Sequence, residues 1–181
     1  MRLVLLDRDG VLNEDRPQSV RLPGELVLLP RAAEAVARLN AAGIKVAVLT
    51  NQSVVGRGII DAAMLDRIHD RLRDELARAG ARLDAIFVAT DAPDAPTARR
   101  KPGGAMLREA LDRFGASAAE TPMIGDDLRD LEAAAAVGCR RILVRTGKGR
   151  ATQAAGLPAH VLPVAVYEDL WSAVDALLAP R

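Results

Sequence analysis

Aromatic side chains are almost missing from this chain: one tryptophan, one tyrosine and two phenylalanines among 181 residues. Binding single-stranded nucleic acid by base stacking needs more platforms than that. Neither charge is in excess, since 25 basic side chains face 24 acidic ones for a net +1. Nucleic acid and anionic membrane surfaces are therefore not expected partners. Cysteine occurs once, at Cys139, which excludes an intrachain disulfide and any cysteine-cluster metal site. No apolar run is long enough to span a bilayer, and no secretory n-region or cleavage site opens the chain. The expectation is a cytoplasmic protein, as a monomer or a small homo-oligomer.

What is present is a chain with half of its residues hydrophobic and 27% charged, which reads as globular rather than disordered. Its length predicts one domain, residues 1–181, large enough for a true core. Leu3 to Leu6 is a nearly continuous apolar run, which suits a strand buried on both faces of a parallel sheet. It stops abruptly at Asp7-Arg8-Asp9-Gly10. Residues 14–25, with Pro17, Pro23 and Gly24, have no period and predict a flap over that strand end. Arg16 and Arg21 in the flap are candidates to meet an anion.

Ala32, Ala35, Val36 and Leu39 repeat at helical spacing behind Pro30 and stop before Gly43. Further strands are expected at 44–49, 84–89, 122–125 and 141–145, with an edge strand at 161–164. Asp61 caps a helix striped by Met64, Leu65, Ile68, Leu72 and Leu76, with His69 as an exposed residue on its polar side. Helices follow at Met106 to Phe114, around Leu131 to Ala135, and at Leu170 to Leu178, where Trp171 is a core residue. Alternating strands and helices predict an α/β fold, a Rossmann-like, doubly wound parallel sheet with no separate cap domain.

Chemistry gathers where the strands stop. Asp7 and Asp9 stand one residue apart, so one can attack or hold a metal while the other moves a proton. Thr50 and Asn51 leave the second strand with a hydroxyl and an amide, both able to donate to an oxyanion. Arg99-Arg100-Lys101-Pro102 closes the loop 90–100 with three successive cations, which suit phosphate. Asp126, Asp127 and Asp130 form a second acidic group behind the strand at 122–125. Each of these alone is also ordinary turn, cap or surface chemistry. Together they share the carboxyl edge of a parallel sheet, where such sheets bind ligands. Carboxylates from two strands can hold Mg²⁺ through oxygen, and a lysine and a hydroxyl can offset charge on a phosphoryl group.

Asp7-Arg8-Asp9-Gly10-Val11-Leu12-Asn13, Thr50-Asn51, Lys101 and Asp126 with Asp130 resemble, in order and spacing, the four motifs of the haloacid dehalogenase superfamily of phosphohydrolases. The resemblance covers essentially the whole chain. It implies Asp7 as the nucleophile that becomes an aspartyl-phosphate, and Asp9 as the acid and base whose backbone carbonyl also binds Mg²⁺. It implies Thr50, Asn51 and Lys101 on the phosphoryl group, Asp126 as a Mg²⁺ ligand, and Asp130 in support. Thr50-Asn51-Gln52-Ser53, Arg57-Gly58, Arg100-Lys101-Pro102 and Arg145-Thr146-Gly147-Lys148-Gly149 look like the branch of heptose bisphosphate phosphatases, in which Arg100 would contact the substrate. Histidinol phosphatases lie in the neighbouring branch. Departures are visible too. The zinc loop usual before Arg-Lys-Pro has neither cysteine nor histidine at 90–99, so no zinc is expected. Val54 and Val55 replace small residues, and Arg31 stands where the branch has glycine. The expected partner is a small phosphorylated sugar. The alternatives are histidinol phosphate, another metabolite, or phosphate binding without catalysis.

Overall fold

The computed structural model describes residues 1–180. Its first strand, β1 (Leu3–Leu6), sends alternate side chains to opposite faces. Val4 and Leu6 enter one apolar cluster, Leu3 and Leu5 another, and all four are fully buried. That is why the sequence run is continuous rather than alternating. A flap then returns through a short 3₁₀ turn at Pro23–Glu25 to α1 (Ala32–Ala41). β2 (Lys45–Asn51) repeats the two-sided pattern, with Val46 and Val48 on one face and Ala47 and Leu49 on the other.

A one-turn helix, α2 (Ser53–Gly56), precedes α3 (Ala62–Ala77), where the Asp61 side chain accepts a hydrogen bond from the Met64 amide at 2.7 Å. The chain continues through β3 (Ala85–Ala89), α4 (Ala105–Phe114), β4 (Pro122–Gly125), α5 (Leu128–Val137) and β5 (Arg140–Val144). It closes with α6 (Gly149–Ala154), β6 (Val164–Tyr167) and α7 (Leu170–Leu178). The six strands run parallel in the order β3-β2-β1-β4-β5-β6. α1, α3 and α7 pack on one face, while α4 and α5 pack on the other. The strand order reverses between β1 and β4, so a crevice opens beyond their carboxyl ends.

The expected doubly wound sheet is present, with five local differences. β6 starts at Val164 rather than Val161. Val161 sits in a 3₁₀ turn, buried against Leu131 and Leu143, and Pro163, which has no N–H to give a ladder, stands between turn and strand. Thr50 and Asn51 belong to β2 itself. The short helices α2 and α6 carry too few residues for a periodic signal.

His69 is the fourth and largest correction. It is buried, with 4% of its surface exposed. It follows Leu65 by four positions and precedes Leu72 by three, which puts it on the apolar face of α3. Trp171 is only half core. The Arg31 and Arg38 guanidinium carbons lie 3.6 and 4.5 Å from its ring centroid, within cation–π range. Arg31 holds the left-handed conformation (φ 61°) that a glycine would adopt without strain.

Candidate active site

The crevice at the β1/β4 switch point is a cavity of about 180 Å³. Asp7, Asp9, Thr50, Asn51, Arg100, Lys101, Asp126 and Asp130 all line it. The residues singled out at the four strand ends are therefore brought to one place, except Arg99, whose guanidinium turns away to the Val88 carbonyl and Glu109. Asp15, Ser19, Ser53, Asp127, Arg129 and Lys148 complete the lining. Arg16 and Arg21 are not among the lining residues; Arg16 lies 3.8 Å from Glu25, and Arg21 donates to the Gln18 carbonyl at 2.9 Å.

The Asp7 amide donates to the Ile124 carbonyl at 2.9 Å, extending the β1–β4 pairing by one residue and fixing the Asp7 backbone to the sheet. The Asp7 Oδ1 atom lies 2.9 Å from Lys101 Nζ. That ammonium also reaches Asp130 Oδ1 at 2.6 Å and the Leu49 carbonyl at 2.7 Å. Three acceptors meet its three N–H groups, and only 2% of the side chain is exposed. Burial disfavours the Lys101 charge, but the Asp130 and Asp7 carboxylates outweigh it and raise its pKa. Its backbone is tied as well. The Asn51 amide nitrogen donates to the Lys101 carbonyl at 2.9 Å, and the Lys101 amide donates to Asn51 Oδ1 at 3.0 Å. Asn51 thus docks the cationic loop onto the tip of β2, a role its residue type alone did not reveal.

The second acidic group divides its labour. Asp127 is the N-cap of α5, and Arg129 clasps its carboxylate through Nε at 3.0 Å and Nη2 at 2.7 Å. Burial opposes that charge but is outweighed by Arg129, which holds the carboxyl down at about 2. Asp130 completes the capping box, its Oδ2 accepting from the amides of Asp126 (3.2 Å) and Asp127 (3.1 Å). Asp126, 2% exposed, accepts from the Lys148 amide at 2.8 Å. Gly10 and Gly147 both have positive φ, and a Cβ on either would overlap the Asp126 carboxylate. Glycine is what lets the two loops close around it.

One carboxylate oxygen from each of Asp7, Asp126 and Asp130 lies within 4.8 Å of the other two. Both oxygens of Asp130 are engaged, by Lys101 and by two amides, whereas Asp7 and Asp126 are each held through one oxygen and keep the other to coordinate. Burial pushes Asp7 up to about 7, against the pull of Lys101, with repulsion from Asp130 and Asp9 adding to the rise. Burial also pushes Asp126 up to about 8, assisted by repulsion from Asp7 and Asp130. A buried pair with surplus negative charge and oxygen donors fits a hard dication. Asp9 is the opposite case. Its Oδ1 accepts from Asn13 at 2.8 Å and its Oδ2 from Gln52 at 2.8 Å, while Arg8 Nη2 reaches both oxygens. Burial disfavours its charge, but Arg8 and these hydrogen bonds hold the carboxyl below its usual range.

The sequence assigns no role to Arg129 or Lys148, although Arg129 stands two residues after Asp127 and Lys148 lies inside the Arg145 to Gly149 stretch that resembles the branch. Lys148 Nζ lies 3.4 Å from Asp15 and 3.7 Å from Asp127, bridging the flap to the acidic group.

A HAD-hydrolase-like family model matches residues 98–173. The chain is 44% identical to the D-glycero-beta-D-manno-heptose-1,7-bisphosphate 7-phosphatase of Bordetella bronchiseptica, over 98% of both chains. It is 40% identical to the enzyme of that name from Pseudomonas aeruginosa, over 97% of both. A crystal structure of the B. bronchiseptica D,D-heptose 1,7-bisphosphate phosphatase, complexed with magnesium and phosphate, matches with a TM-score of 0.93 and covers 98% of each chain.

Proposed function

This chain belongs to the haloacid dehalogenase-like hydrolases, as a phosphatase, and we propose that it removes the 7-phosphate of a D-glycero-D-manno-heptose 1,7-bisphosphate. The observation that carries the chemistry is the Asp7 carboxylate, paired at 2.9 Å with a buried lysine at the head of a cavity. That substrate is supported by the relatives' names, which specify the β anomer. In this reading the chain is one domain over 1–181, cytoplasmic, and a monomer or small homo-oligomer. No described helix is long and apolar enough to cross a membrane.

The phosphate dianion of the bound substrate raises the proton affinity of Asp9, a carboxylate in the free site, so that Asp9 enters the step protonated. Asp7 Oδ then attacks phosphorus as the ester P–O bond breaks, and Asp9 gives that proton to the departing sugar oxygen. Asp9, now a carboxylate, takes a proton from water, whose oxygen displaces Asp7 from phosphorus and releases phosphate. Lys101 offsets charge on the phosphoryl oxygens while keeping Asp7 aimed, and Thr50 and Asn51 donate to those oxygens. Asp7, Asp126 and the Asp9 carbonyl would hold Mg²⁺, which when bound supplies positive charge opposite the transferring group. Arg100, whose Nη1 donates to the Asp91 carbonyl at 3.2 Å, stands at the rim for the rest of the substrate.

The test is phosphate release from phosphorylated metabolites, with Mg²⁺ and with EDTA. The panel includes both anomers of the heptose bisphosphate and histidinol phosphate. A Mg²⁺-dependent preference for a heptose bisphosphate is expected. Preference for another ester would discard the heptose, and silence from folded protein would discard catalysis.

A further inference from the structure

Arg8 is the largest fully buried side chain of the protein. It sits between two aspartates of the first motif, yet its guanidinium turns into the fold rather than toward the cavity. Nη2 forks onto Asp9, 3.0 Å from Oδ1 and 2.9 Å from Oδ2. Nη1 lies 3.3 Å from Nε2 of His69, sixty-one positions away on α3. Nε has no partner among the described residues. Asp9 and His69 are therefore what hold the guanidinium, and His69 is the hold that lies outside the cavity.

An arginine can only donate, so Nε2 of His69 must accept, with the ring proton on Nδ1. Burial and the charges of Arg8 and Arg73 push His69 down to about 3, in keeping with a neutral ring. The ring is carried by a sixteen-residue helix whose neighbours Leu65, Ile68 and Leu72 are buried. A rigid element thus fixes a planar guanidinium, and the guanidinium fixes both oxygens of Asp9. Misplacing a reacting group by about 1 Å can cost on the order of 100-fold in rate.

We propose that His69, acting through Arg8, is a positioning residue for Asp9, setting where that carboxyl stands for proton transfer to the leaving oxygen. The inference rests on the phosphatase reading. Its function would be to aim Asp9, not to touch substrate. Removing the acceptor should therefore slow the step that needs Asp9's proton more than a step that does not.

His69→Met keeps bulk without the acceptor, and His69→Gln places an amide oxygen near the position of Nε2. Both are assayed with Mg²⁺ on D-glycero-β-D-manno-heptose 1,7-bisphosphate, whose alkoxide leaving group needs a proton, and on p-nitrophenyl phosphate, whose leaving group needs little. His69→Met is expected to lower kcat/KM at least about tenfold on the heptose substrate and no more than about threefold on the aryl ester. His69→Gln should stay within about threefold of wild type on both. Equal losses on the two esters, or no loss, would overturn the proposal. If His69→Met does not fold, a folded His69→Gln with near-wild-type kcat/KM on the heptose substrate supports it, and a tenfold loss overturns it. If neither folds, His69 serves packing alone and the proposal fails. Wild-type protein inactive on both esters would instead refute the phosphatase reading.

Discussion

Asp7 and Asp9 are separated by one residue and live in opposite electrostatic surroundings. Asp7 faces Asp126 and Asp130 with Lys101 as the shared cation, and burial pushes its carboxyl up to about 7. Asp9 has an arginine to itself plus two amides, and is held below its ordinary value. A strand would put residues two apart on one face, but β1 ends at Leu6 and the chain turns at Gly10 (φ 82°), which leaves Asp9 facing Arg8, Asn13 and Gln52. The lesson is that charge balance, not residue type, divides the labour. The Asp9 half is neutral as it stands, whereas three carboxylates against one lysine leave the Asp7 half with a surplus that a dication would cancel.

The comparison breaks most completely at Asp7 itself. Asp7→Asn removes the attacking oxygen from the unbalanced half and leaves the Asp9 half alone. Turnover is expected to fall by about 10⁴-fold or more, with circular dichroism unchanged. Activity within tenfold of wild type would refute the nucleophile assignment. Lys101→Met acts next, stripping the cation from that same half. Breaking a buried ion pair by removing one partner costs about 3–5 kcal/mol, which urea denaturation would read. A loss below 1 kcal/mol would mean that Asp7 and Asp130 are hydrated well enough to stand alone.

A third test sharpens the contrast without mutation. Asp7 and Asp126 bind protons more tightly folded than unfolded, their carboxyls raised from the usual range to about 7 and about 8. Where the folded state holds more protons, stability falls as pH rises. Their contribution is thus fully present near pH 4 and lost on climbing through pH 7 to 8. Metal-free protein should show a falling Tm across pH 5 to 8, and Mg²⁺ should restore more at pH 8 than at pH 5, by mass action on deprotonated ligands. Equal Mg²⁺ stabilisation at both values would exclude these two carboxylates as the ligands.

The Asp7 half was legible in sequence and the Asp9 half was not, for a physical reason. Asp7, Lys101, Asp126 and Asp130 each follow a strand or its loop, and a parallel sheet brings all its carboxyl ends to one edge whatever the details. Apolar runs such as Leu3 to Leu6 place those edges. The Asp9 half depends on where side chains turn. That Arg8 points inward, and that α3 offers His69 to meet it across sixty-one residues, is decided by packing in three dimensions. The positions 65, 69, 72 and 76 did carry the burial signal, but a histidine there passes for a polar-face residue until its partner is seen. The edge strand slipped for a smaller reason, since Val161 is apolar through burial in a turn rather than through sheet pairing.

The smallest expected effect lies at Asp127, which decides how far the unbalanced half extends. Asp127 belongs to the acidic group by sequence, but its carboxylate caps α5 and is clasped by Arg129. It resembles Asp9, a carboxylate with its own arginine, more than Asp126 beside it. Removing an N-cap aspartate costs about 1 kcal/mol. The Arg129 pair adds little, since that side chain is 44% exposed. Asp127→Ala should therefore lose about 1 kcal/mol in urea denaturation, and Asp127→Ser should recover most of it by capping without charge. Mg²⁺ affinity should change less than threefold in both, because neither Asp7 nor Asp126 loses a partner. A tenfold loss of Mg²⁺ affinity in Asp127→Ser would place Asp127 in the unbalanced half, and the charge ledger of the site would have to be redrawn with four carboxylates in it.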